Sequence, residues 1–84
     1  MRGYEVTVGK TTRRVKTFQE AGAFVAEAVG ELLAHDPEGA AEGAMMANRA
    51  FSVGTVQHVL DTHGNWRTSI TVTGESVPIV VVKY

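Results

Sequence analysis

The last third of the chain places the strongest limit on the fold. Residues 66–73 alternate between apolar and polar side chains, which is typical of a strand with one buried face. A turn at residues 73–76 leads into residues 77–82, a run that is apolar on both faces. Such a strand belongs in the middle of a sheet or at an oligomer interface, because it would aggregate if exposed. We place Pro78 at the start of this strand, where a missing N–H is tolerated.

The N-terminal residues predict a hairpin of a different character. Tyr4, Val6 and Val8 alternate with polar residues, which indicates a half-buried strand. The turn at residues 9–11 returns the chain into residues 12–16, where Val15 is the only apolar side chain. We therefore expect the second strand to be polar and to lie at the edge of the sheet, where cations discourage pairing with another edge.

Two helices are predicted between residues 17 and 51. Thr17 and Glu20 form a capping box at the start of the first helix, which should stop near His35 because Pro37 disfavours helical geometry at the preceding residue. Asp36 is then the expected N-cap of a second helix with Pro37 in its first position. Small residues recur four apart in both helices and suggest either close backbone approach or a codon bias: Gly22, Ala26 and Gly30, and then Gly39, Gly43 and Ala47.

Residues 53–60 fit either a strand or a helix. Val53, Val56 and Leu60 have helical spacing, but the residue types favour a strand, and residues 61–64 resemble a hairpin turn. With a strand here, the element order is ββααβββ. The predicted fold class is α+β: a single small domain over residues 1–84, with a mostly antiparallel sheet and two helices on one face.

Length and composition exclude several classes of protein. An 84-residue chain without cysteine has room for one domain and offers neither thiol chemistry nor a cysteine-bound metal. No segment suits a signal peptide or a membrane span, so we predict a cytoplasmic protein without membrane contact. Because the core is small and residues 77–82 are apolar on both faces, a homodimer is also predicted as an even alternative to a monomer.

Charge is distributed unevenly along the chain. Residues 1–16 carry five Lys and Arg against one Glu, whereas residues 17–48 carry six acids and neither Lys nor Arg. Our first hypothesis is an acidic helical surface that binds a basic protein partner, and the plain alternative is a solvated face. The residues of that surface are Glu20, Glu27, Glu31, Glu38 and Glu42. The second hypothesis is nucleic-acid binding through the phosphates, against the plain alternative of a charge-protected edge strand. Its residues are Lys10, Arg13, Arg14 and Lys16.

No pattern supports catalysis or a cofactor. Residues 9–11 resemble the end of a phosphate-binding loop, but its first glycine would fall at Tyr4. His58, Asp61 and His63 are close in sequence, yet nothing brings three ligands to one point, so we predict neither a metal nor an acid–base pair there. Met45 and Met46 are expected in the core.

These observations predict a small non-enzymatic interaction protein without a cofactor. The Ala, Gly, Val and Arg bias is typical of GC-rich bacterial or phage genomes. By analogy with small proteins of mobile elements, we expect an inhibitor of a host nucleic-acid-handling complex that acts through its acidic face. Nucleic-acid binding by the basic hairpin is the alternative.

Overall fold

The computed structural model describes residues 3–84 and confirms the α+β class. Its four strands form one antiparallel sheet in the order β2-β1-β4-β3. The buried strand residues share the face on which three helices pack. The elements are β1 (Tyr4–Val8), β2 (Thr11–Val15), α1 (Phe18–His35), α2 (Ala41–Ser52), α3 (Thr55–His63), β3 (Asn65–Val72) and β4 (Glu75–Lys83).

The strand that is apolar on both faces lies inside the sheet. β4 pairs with β1 on one side and β3 on the other, and Ile79 and Val81 are completely buried beneath the helices. Pro78 is the fourth residue of β4 rather than its first. Its carbonyl accepts a bond from the Gly9 N–H at 2.8 Å. Its nitrogen therefore faces Gly9, the first residue after β1, so the missing N–H falls at the end of the β1–β4 ladder and not on the side of β3.

The first helix follows its sequence signals. The Thr17 hydroxyl accepts the Glu20 N–H at 3.1 Å and donates to the Glu20 carboxylate, and α1 ends at His35. The prediction for the second helix is wrong at its start, because α2 begins at Ala41 after a turn at residues 37–39. Asp36 Oδ1 still accepts the Gly39 N–H at 3.1 Å, as an N-cap would. Its other oxygen accepts the N–H of Thr73 at 2.8 Å, which fixes this connection to the β3–β4 turn.

The strand predicted at residues 53–60 is wrong: this segment is α3. Gly54, with φ +82°, turns the chain out of α2, and Val56 and Leu60 then bury one turn apart against the sheet. Residues 61–63 are the last turn of this helix rather than a hairpin turn. Gly64, with φ +79°, ends the helix in the left-handed conformation. The observed order is therefore ββαααββ, with four strands instead of five.

The small helical residues have different roles at different positions. A Cβ on Gly43 would lie 3.0 Å from the Ile70 side chain and 3.2 Å from its Cα, so α2 approaches β3 closely there. At Gly22, a Cβ would touch Phe51 at 3.4 Å. No described atom lies within 4 Å of such a Cβ at Gly30. The packing explanation therefore holds at the first two glycines and does not hold at Gly30.

A row of aromatic rings crosses the helix-covered face of the sheet. Phe18 packs against Tyr4 and Phe51, and Phe51 packs edge-on against Trp66, with ring centroids 5.5–6.0 Å apart. Trp66 is half-buried against the core. The prediction for the methionines is wrong, because Met45 and Met46 keep 66% and 63% of their surface exposed. The alanines of α2 face the sheet instead.

Candidate functional site: a charged groove beside the edge strand

A surface depression lies between α1 and the edge strand β2. It has two compartments of about 380 and 300 Å³, and Arg13, Phe24 and Glu27 line both of them. α1 runs alongside the strand, so that Glu20 lines the groove near Val15 at one end. The other end lies at the β1–β2 turn and has a largely apolar floor: Val8, Ala28, Leu32 and Val77.

Three of the predicted acidic residues form the helical rim of this groove. Glu20, Glu27 and Glu31 are exposed and follow one side of α1. Only Glu20 has a described hydrogen-bond partner, the hydroxyl of Thr17. Within residues 3–84, no cation lies within 4.0 Å of these three carboxylates. Their charge is therefore available to a ligand.

The predicted basic residues are divided between the two faces of the sheet. Lys10 and Arg13 line the groove opposite the acidic rim. Arg13 holds its guanidinium 4.8 Å from the centre of the Phe24 ring, a cation–π contact. Arg14 borders the smaller compartment, but its guanidinium lies on the helix-free face beside Glu5, and Lys16 follows β2 in an exposed position. The structure thus brings the charged groups of two of the four cations together with three of the five acids.

Arg14 belongs to a separate polar cluster on the helix-free face. Its Nε lies 3.9 Å from the Glu5 carboxylate, and its guanidinium stacks 5.4 Å from the ring centre of Tyr84. The Tyr84 hydroxyl donates a hydrogen bond to Glu5. That bond raises the pKa of Tyr84, because the neutral phenol is the form that can donate.

The outer edge of β2 borders this groove and pairs with no other strand within residues 3–84. Gly9 donates its N–H to β4, so alternation along β1 directs the peptide groups of Val8 and Val6 toward β2. The peptide groups of their neighbours in β2 bond back to them. Those of Thr12 and Arg14 consequently point outward, where an added strand can pair with them.

The remaining candidate residues lie away from the groove. Glu38 is in the turn before α2, and Glu42 is in the first turn of α2. His58 and His63 are exposed on α3, and Asp61 pairs with Lys83 at 2.6 Å. The described part of the chain contains no group of three His, Cys, Asp or Glu residues that could hold a metal. None of its helices is long and apolar enough to cross a membrane.

Sequence reasoning missed the residue that organises the groove. Phe24 was not assigned to the buried side of α1, yet it is 8% exposed and carries the Arg13 contact. Its spacing from Ala21, three residues before it, was a usable signal. Comparison of the chain with protein-family models, with curated proteins and with solved structures finds no match. The groove and its chemistry therefore carry the functional argument.

Proposed function

We propose that this protein is a non-enzymatic interaction module that binds an extended, cationic segment of a partner protein in the groove between α1 and β2. The observation that carries the proposal is the rim of exposed carboxylates without ion-pair partners in residues 3–84, placed above an apolar floor. An apolar floor provides affinity, and the rim provides specificity for positive charge.

The spacing of the rim suits a partner in the β conformation. Glu27 and Glu31 are one helical turn apart, which is about 6 Å along the axis. Alternate side chains of an extended chain are about 6.8 Å apart and point to the same face. A segment with Lys or Arg at every second position, paired with the outward peptide groups of Thr12 and Arg14, would therefore present cations to both carboxylates.

The same geometry favours a protein partner over nucleic acid. Three carboxylates face two cations across the groove, and the Arg13 guanidinium is already placed over the Phe24 ring, whereas Glu27 and Glu31 have no ion-pair partner within residues 3–84. A phosphate chain would therefore meet more uncompensated like charge than a cationic segment would. Basic segments of the proposed type are common in proteins that handle nucleic acids. The predicted inhibitor of such a complex would thus act by occupying the partner's basic segment.

The proposal is tested with defined peptides rather than with an unidentified partner. Fluorescence anisotropy would compare a peptide of about ten residues that alternates Lys and Val with one that alternates Glu and Val. We expect binding of the first peptide only. The double variant Glu27→Gln, Glu31→Gln should weaken this binding by about five- to tenfold, because two exposed ion pairs are lost.

Matched controls separate the groove from general electrostatics. The double variant Glu38→Gln, Glu75→Gln removes the same charge from exposed positions outside the groove and should bind the peptide as the wild type does. Equal loss in both double variants would contradict the proposed site. Salt-sensitive binding of single-stranded DNA that depends on Lys10 and Arg13, without binding of either peptide, would replace the proposal by the nucleic-acid alternative.

A further inference from the structure

One face of α2 is exposed, apolar at its centre and charged at its ends. At about 100° per residue, Glu42, Met45, Met46 and Arg49 fall within an arc of roughly 100° on this helix. The alanines that face the sheet, Ala44 and Ala47, lie on the opposite side. We name the four residues the α2 stripe.

The methionines of the α2 stripe are not part of the hydrophobic core of residues 3–84. They are among the four exposed large hydrophobic side chains in the described part of the chain. Within that part, neither Glu42 nor Arg49 has an ion-pair partner. They cannot pair with each other, because seven residues separate them by about 10 Å along the helix. Both the apolar surface and the two charges are therefore available to a second molecule.

The pattern of the stripe is complementary to itself. If two copies of α2 pack antiparallel about a twofold axis, Glu42 of each copy lies opposite Arg49 of the other in the register that also sets Met45 opposite Met46. Both pairs satisfy one register, so a single arrangement places the methionines at the centre and an ion pair at each end. Helices packed in this way align such rows routinely.

We propose that the α2 stripe is a self-association surface and that its occupant is a second copy of this chain. A helix of 12 residues is about 18 Å long, so the contact is at the small end of specific interfaces. The expected dimer is accordingly weak, with a dissociation constant on the order of 100 µM. The proposal does not depend on the groove beside β2, which α2 does not line.

The register predicts that two variants that each dimerise poorly will form a heterodimer with one another. Glu42→Arg places cations opposite cations, and Arg49→Glu places acids opposite acids, so each variant alone should dimerise about tenfold more weakly than the wild type. In an equimolar mixture of the two, every acid meets a base, and a heterodimer should form with near wild-type affinity. Sedimentation velocity over a concentration series measures all three.

Two further variants define the outcome. Met45→Gln with Met46→Gln removes the apolar centre and should leave a monomer of 9.0 kDa, with an unchanged helical circular dichroism spectrum. Glu75→Arg makes the same change of charge at the exposed start of β4, outside both the stripe and the groove, and should dimerise as the wild type does. A wild type that remains a single 9.0 kDa species up to about 1 mM would overturn the proposal, as would a variant mixture that does not associate.

Discussion

The two halves of the sheet are covered by helices in different ways. Over β3, α2 comes so close that a Cβ at Gly43 would press on Ile70, which is 1% exposed. Beside β2, α1 leaves an open groove of about 380 Å³, and no residue of β2 is fully buried. A small protein thus combines a tightly packed half with a half that can admit a ligand.

The two edge strands of the sheet, β2 and β3, also differ in length and in charge. β2 has five residues and carries Arg13 and Arg14, with Lys10 and Lys16 adjacent, so both its length and its charge discourage uncontrolled pairing. β3 has eight residues and a single charge, Arg67. The comparison teaches that an edge strand protected by charge can still border a binding groove, because the carboxylates that would select the partner are supplied by α1 rather than by the strand.

Truncation of the core should show the largest difference between the two halves. Ile70→Ala in β3 should lower the free energy of unfolding by about 2–5 kcal/mol, because the surrounding packing cannot close the cavity. Val15→Ala in β2 removes a half-buried side chain and should cost about 1 kcal/mol. Urea denaturation of both variants measures the difference, and equal losses would contradict the division into a tight and an open half.

Sequence periodicity predicted the four observed strands because the pattern of apolar residues in each strand reflects its place in the sheet. The alternation in β3 and the two-sided apolar character of β4 follow directly from their places at the edge and in the middle of the sheet. The capping box at Thr17 is equally local, since donor and acceptor lie three residues apart. Each of these features depends on neighbours along the chain or on one burial pattern.

The strand prediction for residues 53–60 was wrong because tertiary packing outweighed the β propensity of its residues. Its valines favour a strand, but the helical spacing of Val56 and Leu60 gives one buried side on the sheet, and Gly54 supplies the required turn. The arrangement of the candidate site residues likewise depends on tertiary packing. The sequence identified both charge clusters, but only the fold places Arg13 and Glu27 in one groove and directs the Arg14 guanidinium to Glu5 on the other face of the sheet.

Two helical glycines provide a sharper test of how closely the helices approach the sheet. Gly30→Ala should raise the free energy of unfolding by about 0.5–1 kcal/mol, since the exposed helix gains propensity and the new Cβ meets no described atom. Gly43→Ala gains the same propensity, but its Cβ would press on the backbone of Ile70. We expect that contact to cancel the gain. Equal stabilisation by both substitutions would contradict close packing over β3.

The smallest effect concerns Asp36, which joins the α1–α2 connection to the β3–β4 turn. The backbone N–H of Thr73, and then that of Gly39, lowers the pKa of Asp36 below its ordinary 3.8, because both stabilise the carboxylate. Since the pKa is lower in the folded protein, the stabilisation is essentially complete above about pH 5 and is lost as the pH falls through the folded value. Asp36→Asn should therefore be less stable than the wild type at about pH 6, and the difference should shrink toward about pH 2.

Thermal unfolding across this range measures that difference. Glu38→Gln is the control, because no hydrogen bond to its side chain occurs within residues 3–84. A difference between Asp36→Asn and the wild type that does not depend on pH would show that the carboxylate's charge has no part in holding the turn.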